Sequence, residues 1–203
     1  MRKEIKRSKK EEGHSVLEFA LVAIPTIFLM LGTVVIGIDL GRAVQVFQIC
    51  RDADAMYVRG APLYSTSGQN FLVQLGQNMN LQTSGGDGLV TLSKIQFIPD
   101  SSCGTPPAAN CTSGKYVLVQ RIIVGNTSLP GTHYPTAGAV TYDSLDQVAN
   151  YTTDPNAVVS NFSSSLQLKP NEVSYVAETY FQTTSVNFGS EQTSPGIYSQ
   201  AFF

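Results

Sequence analysis

Charge is scarce in this sequence: 14% of its 203 residues are Asp, Glu, Lys or Arg, against roughly 25% in ordinary soluble domains. The 13 basic and 15 acidic side chains leave a formal net charge of -2. That excludes the strongly basic face of a nucleic-acid binder. Histidine occurs only at His14 and His133, and cysteine only at Cys50, Cys103 and Cys111. No combination of these completes a four-ligand zinc set. His133 lies in a Gly-Thr-His-Tyr-Pro loop with no patterned nucleophile beside it. A P-loop, a dinucleotide fingerprint, a zincin helix and a paired-cysteine motif are all missing. The reading is therefore a protein that is not an enzyme, with no cofactor, no metal and no evident small-molecule substrate. What is present, nine Tyr and ten Phe over 203 residues, is enough to bury a core and rules out a disordered polar polymer.

The missing charge has a location. Six basic residues (Arg2, Lys3, Lys6, Arg7, Lys9, Lys10) and three acidic ones (Glu4, Glu11, Glu12) fall in the first 13 positions, and from Phe19 to Ile38 twenty consecutive residues carry none. At 1.5 Å rise per residue, that stretch spans roughly 30 Å, the hydrocarbon thickness of a bilayer. It is too long for the h-region of a cleaved signal peptide, and no clear small-x-small site ends it. The basic excess on its N-terminal side predicts a cytoplasmic tail and an exported remainder. The expected organisation is a basic cytoplasmic leader at 1–13, a transmembrane and stalk helix at 14–60, and an exported β-rich head at 61–203.

Glu18 stands at the entry of the apolar run, between Val16-Leu17 and Phe19-Ala20-Leu21. A carboxylate near the centre of a membrane helix costs on the order of 3 kcal/mol on insertion scales, and less near the interface. Such groups are usually paired and functional, although a glutamate at this depth can also reach the headgroups. The surrounding Gly13-His14-Ser15-Val16-Leu17-Glu18-Phe19, followed by Ala20-Leu21-Val22 and Pro25, resembles the processing site of type IV prepilins. In particular, it is similar to the TadE-like proteins of tight-adherence (Flp-type) pili. The resemblance is specific over residues 13–40 and extends loosely to about residue 60. Val176-Ala177-Glu178-Thr179-Tyr180 is a further, weaker match. Glu11 and Glu12 stand where many relatives carry basic residues, and His14 is not the commonest first residue of a mature chain.

The resemblance implies a set of roles. A membrane aspartyl prepilin peptidase would cut between Gly13 and His14 on the cytoplasmic face, and Phe19 would complete the recognised motif. Glycine before the scissile bond permits close backbone approach. The new α-amino group could then pair with Glu18 of a neighbouring subunit, so that two groups costly in lipid satisfy one another. Implied partners are the inner membrane, the peptidase and other pilin or pseudopilin subunits.

Pro25 removes a backbone donor and predicts a kink or local unwinding near residues 21–25. Gly37 and Gly41, four apart, form a small-residue face of the kind that lets helices approach closely. Beyond Asp39, the residues Ala43, Val46, Phe47, Cys50, Ala53 and Tyr57 recur at helical steps. Arg42, Arg51, Asp52, Asp54 and Arg59 fall largely elsewhere, and Gly60 and Pro62 end the pattern. One helix over residues 15–59 is predicted.

The remainder is rich in Ser, Thr, Asn and Gln. Phe71, Leu72, Leu75 and Met79 predict a short amphipathic helix closed at Gly85-Gly86. Strand patterns cover Leu89–Ile98, Lys115–Val124, Val173–Val186 and Ile197–Phe203. In the third, Val173, Tyr175, Ala177 and Phe181 share one face, with Ser174, Glu178 and Gln182 on the other and Val176 and Tyr180 as exceptions. Residues 125–171 read as a long solvated loop with a helical turn at Asp143–Asn150. Cys103 and Cys111 bracket a Gly/Pro/Asn-rich loop and are expected to pair in an oxidising compartment, leaving Cys50 as a buried thiol. The expected fold class is α+β and membrane-anchored, a long helix packed on a small antiparallel sheet. The expected function is that of a TadE-like minor pilin. The alternative is an unprocessed, signal-anchored protein whose head binds a surface or periplasmic ligand.

Overall fold

The computed structural model of the protein describes residues 9–103, 110–130, 137–162, 166–182 and 196–203, with side chains from residue 15 onward. The first eight residues of the basic leader, His133, and residues 183–186 of the predicted third strand lie outside the described residues. Helix α1 spans Lys9–Val58 and is shared between two compact units, Met1–Arg42 and Ala43–Phe203.

In the first unit, Ser15 to Leu31 has no Gly, Asp or Asn, so Pro25 is the one strong helix breaker in that stretch. The helix is continuous through Pro25, so the local unwinding expected at residues 21–25 does not occur. One missing amide donor is a local loss, and the Thr26 hydroxyl donates to the Val22 carbonyl at 2.7 Å, which helps hold that turn. The apolar side chains of this unit have nothing to bury against: Phe19 is 75% exposed. Val16, Leu17, Phe28, Met30 and Ile36 are exposed in the same way.

In the second unit, a four-stranded antiparallel sheet has the order β2-β1-β3-β4. The strands are β1 (Gly88–Ile98), β2 (Lys115–Gly125), β3 (Val173–Gln182) and β4 (Gly196–Phe202). Central β1 pairs Leu92 with Ile122 on one side and with Ala177 on the other. Val46, Ile49, Cys50, Ala53 and Tyr57 of α1 pack against Val90, Leu92, Ile122, Val124, Ala177 and Phe181. Alternation along the strands supplies this face, because residues two apart point the same way. Helix α2 (Thr66–Leu75) starts at Ser65, whose hydroxyl accepts from the Gly68 amide at 3.1 Å. It adds the fully buried Leu72 to the same core. It stops at Gly76, short of the predicted end, and Gln77–Met79 form a separate tight turn.

The other face of the sheet is buried too, which corrects the reading of residues 125–171 as a solvated loop. Val148, Ala157, Val159 and Phe162 from that segment join Ile95, Ile98, Val117, Leu118, Val119 and Val176 in a second core. The pairing jumps from Lys94↔Gln120 to Ile95↔Leu118, leaving Val119 as a bulge residue. Three consecutive valine and leucine side chains of β2 are thereby buried. The crossing segment also bonds to β2 directly, with bridges Val117↔Val158 and Gln120↔Gln147. At Asp143–Asn150 there is no helical turn. The Asp143 carboxylate accepts from the amides of Leu145 and Gln147, and Asp146 takes a left-handed conformation at φ 57°. Aspartate stabilises such a turn by bonding the backbone two residues on.

Candidate functional site

Gly13 and His14 lie within the helical backbone of α1, four residues and more after its start at Lys9. A peptidase needs an extended strand, so cutting there requires the first turns to unwind. That opening is cheap, because the first four amides of a helix have no intrahelical acceptor and a glycine weakens the second turn by about 1 kcal/mol. Glu18 and Phe19 follow on exposed helix surface. Pro25, Gly37 and Gly41 are exposed as well, and a Cβ added at Gly37 or Gly41 would meet nothing within 4 Å. The run is the one candidate membrane span among the described residues, with mean hydropathy 2.5 and none of its most apolar window buried. The core helix of a soluble protein would be covered.

In the head, Cys103 and Cys111 form a disulfide, their Cα atoms 5.8 Å apart. Cys50 is a free, buried thiol. It donates to the Ala177 carbonyl at 3.4 Å, and burial pushes its pKa up to about 11, so it stays protonated and poorly nucleophilic.

Three ionisable groups, two buried and one half-buried, were not singled out from the sequence as site candidates. Asp54, grouped there with the outward charges, is completely buried. It lies one turn after Cys50 and one turn before Tyr57, which puts it on the covered side. Conversely Phe47, expected on the covered side, is 55% exposed. Glu178 is buried on β3 and accepts a hydrogen bond from the Tyr198 hydroxyl on β4. Arg121 on β2 donates from Nε to the Ser93 hydroxyl at 3.1 Å, and burial lowers its pKa against the opposing pull of Tyr142 and Glu178. Cross-strand register brings these together: Ser93 is paired with Arg121, and Thr91 with Glu178. A period-two pattern places Glu178 on a face, but the cover over that face comes from residues far away in sequence.

No group of three or more His, Cys, Asp or Glu residues able to hold a metal ion occurs among the described residues. Comparison with family models, with curated proteins and with solved structures returned no match to this chain.

Proposed function

We propose that this chain is a TadE-like minor pilin or pseudopilin acting in assembly of a Flp-type pilus, anchored in the inner membrane by α1 with its N-terminus cytoplasmic and its β head exported. The observation that carries the reading is the position of Glu18. It is an exposed carboxylate five residues after Gly13, at the entry of an exposed apolar helix. Exposed apolar surface of that extent needs lipid or other helices around it. A carboxylate at its edge is of use where a second subunit brings a cation to it. After cleavage at Gly13, the amine of His14 is that cation, and the charge pair sets the axial register between subunits.

The disulfide supports an oxidising compartment for the head, in agreement with the charge asymmetry around the span. Replacement Glu18→Gln tests the reading. The variant is expected to insert and fold as wild type but to abolish fibre production in living cells. Unchanged piliation would reduce the chain to an anchored head. Gly13→Leu is expected to leave the leader attached, as read by N-terminal sequencing of the product.

One observation favours the second reading, an unprocessed signal anchor whose head binds a surface or periplasmic ligand: α1 is already helical across Gly13-His14. Under that reading, intact mass retains residues 1–13 and both substitutions are silent.

A further inference from the structure

Asp54 is the one carboxylate on α1 that is fully buried among the described residues. Among the described residues, neither of its oxygens has a hydrogen-bond partner. It belongs to the seam where the last turns of α1 lie on the sheet. Cys50, bonded to the Ala177 carbonyl, is one turn before it, and one turn after it is Tyr57, whose hydroxyl donates to Gln120 Oε1 at 2.9 Å.

The ionisable groups around this seam give a carboxylate no support. On α1, an ionised Asp54 would oppose ionisation of its neighbours Cys50 and Tyr57, so neither supplies a cation to it. From β3, Glu178 opposes ionisation of Cys50 and Tyr175 that of Tyr57, and from the segment crossing β2 Asp146 opposes ionisation of Tyr57 as well. Cys50 likewise opposes ionisation of Tyr198 on β4. Lys94 of β1 holds its ammonium over the Tyr175 ring, 5.9 Å from the centroid. Arg51 and Asp52 on α1 are exposed. Burial alone accounts for the Asp54 shift, upward to about 7.

We propose that Asp54 is a proton-operated latch: with its carboxyl protonated the last turns of α1 close on the sheet, and its ionisation opens that seam to water around Cys50 and Tyr57. The proton released goes to solvent. A neutral carboxyl in a dry site lacks a hydrogen-bond partner or two, whereas a carboxylate there also lacks its hydration, which is far more costly. The nearest relief is water, and water enters by separating helix from sheet.

The direction with pH follows from linkage. The closed chain keeps its proton up to about pH 7, whereas an unfolded or opened aspartate loses it near the ordinary value of about 4. The contribution of this group to closure is therefore fully present in acid and is lost as pH rises towards 7. Over that window, the opening equilibrium gains up to about tenfold per pH unit. The inference does not depend on the pilin reading.

Cys50 reports the opening, because it is a buried thiol in the same seam. Full-length protein in detergent micelles is labelled with a dipyridyl disulfide from pH 5 to 8, wild type beside Asp54→Asn. The ratio of wild-type to variant rates cancels the thiol's own ionisation. It is expected to climb by up to about tenfold per pH unit towards 7 and then to flatten. A ratio constant across the range overturns the latch. Asp54→Leu is the second unionisable variant. Should neither fold, infrared spectra of wild type carrying isotope-labelled aspartate decide: an aspartyl carboxyl lost with a midpoint near pH 7 supports the latch, and full ionisation at pH 5.5 overturns it.

Discussion

The Tyr57 hydroxyl, on the last turn of α1, donates to Gln120 Oε1 on β2 at 2.9 Å, and Gln120 Nε2 in turn donates to the Leu145 carbonyl at 2.6 Å. One glutamine therefore joins the helix, the sheet and the segment that crosses β2. The Tyr57 ring also meets Tyr175 edge-on, with centroids 5.1 Å apart. Both polar ends are buried, so the bond is worth more than an exposed one.

Tyr57→Phe keeps the ring contact and removes the hydroxyl, leaving Gln120 Oε1 without that donor. Denaturant unfolding of the full chain in micelles is expected to show a loss of about 1–3 kcal/mol. A change below a few tenths would mean that water already satisfies the glutamine.

Phe162 tests whether the segment after β2 is core rather than covering. It is fully buried and packs its ring on Tyr116 at 5.3 Å. Phe162→Ala is expected to cost about 3–5 kcal/mol, enough to unfold a marginally stable head at growth temperature. A solvated loop would tolerate the change, with a thermal midpoint equal to that of wild type.

Replacing Cys103 and Cys111 together by Ser opens a short loop, and about 2.5 kcal/mol of stability is expected to be lost in the chain-entropy model. Comparing the double variant with reduced wild type by thermal unfolding separates the cross-link from the substitutions. The two should agree.

Gly37→Leu combined with Gly41→Leu adds side chains where a Cβ meets nothing. Membrane insertion and head stability are therefore expected to be unchanged. Under the proposed pilin function, and if these glycines line a close helix contact, fibre assembly is expected to fall steeply, as read by pilus counts and by crosslinking between subunits. Wild-type assembly would show that this face meets lipid.

The parts of the fold that were legible in the sequence are those whose cause is local. Runs rich in β-branched and aromatic residues mark β1, β2 and most of β3 to within a residue or two at the ends that are described, because that composition suits a pleated, covered backbone. The apolar run from Phe19 marks a helix because twenty uncharged residues match the helical length that crosses a bilayer, where the backbone must satisfy its own hydrogen bonds. Asp54 was misread for the opposite reason. Its helical position put it beside Cys50 and Tyr57, but its charge argued for solvent, and no local rule shows that a sheet lies over it. Val176, out of phase with Tyr175, Ala177 and Phe181, looked like an exception to the strand pattern. It belongs to a second core, supplied by residues whose low hydrophobic density resembles a loop.

By itself, then, the order of residues determined the long helix, the exposed apolar run headed by Glu18, the strand positions and the polar texture of the head, since each follows from neighbours within a few turns or pleats. Only the tertiary structure decided that both faces of the sheet are covered, that Phe162 is core and Phe47 is not, and that Asp54 is sealed without a partner. Burial depends on which distant segment lands on a residue, and that is settled by the packing of the chain as a whole rather than by its local pattern.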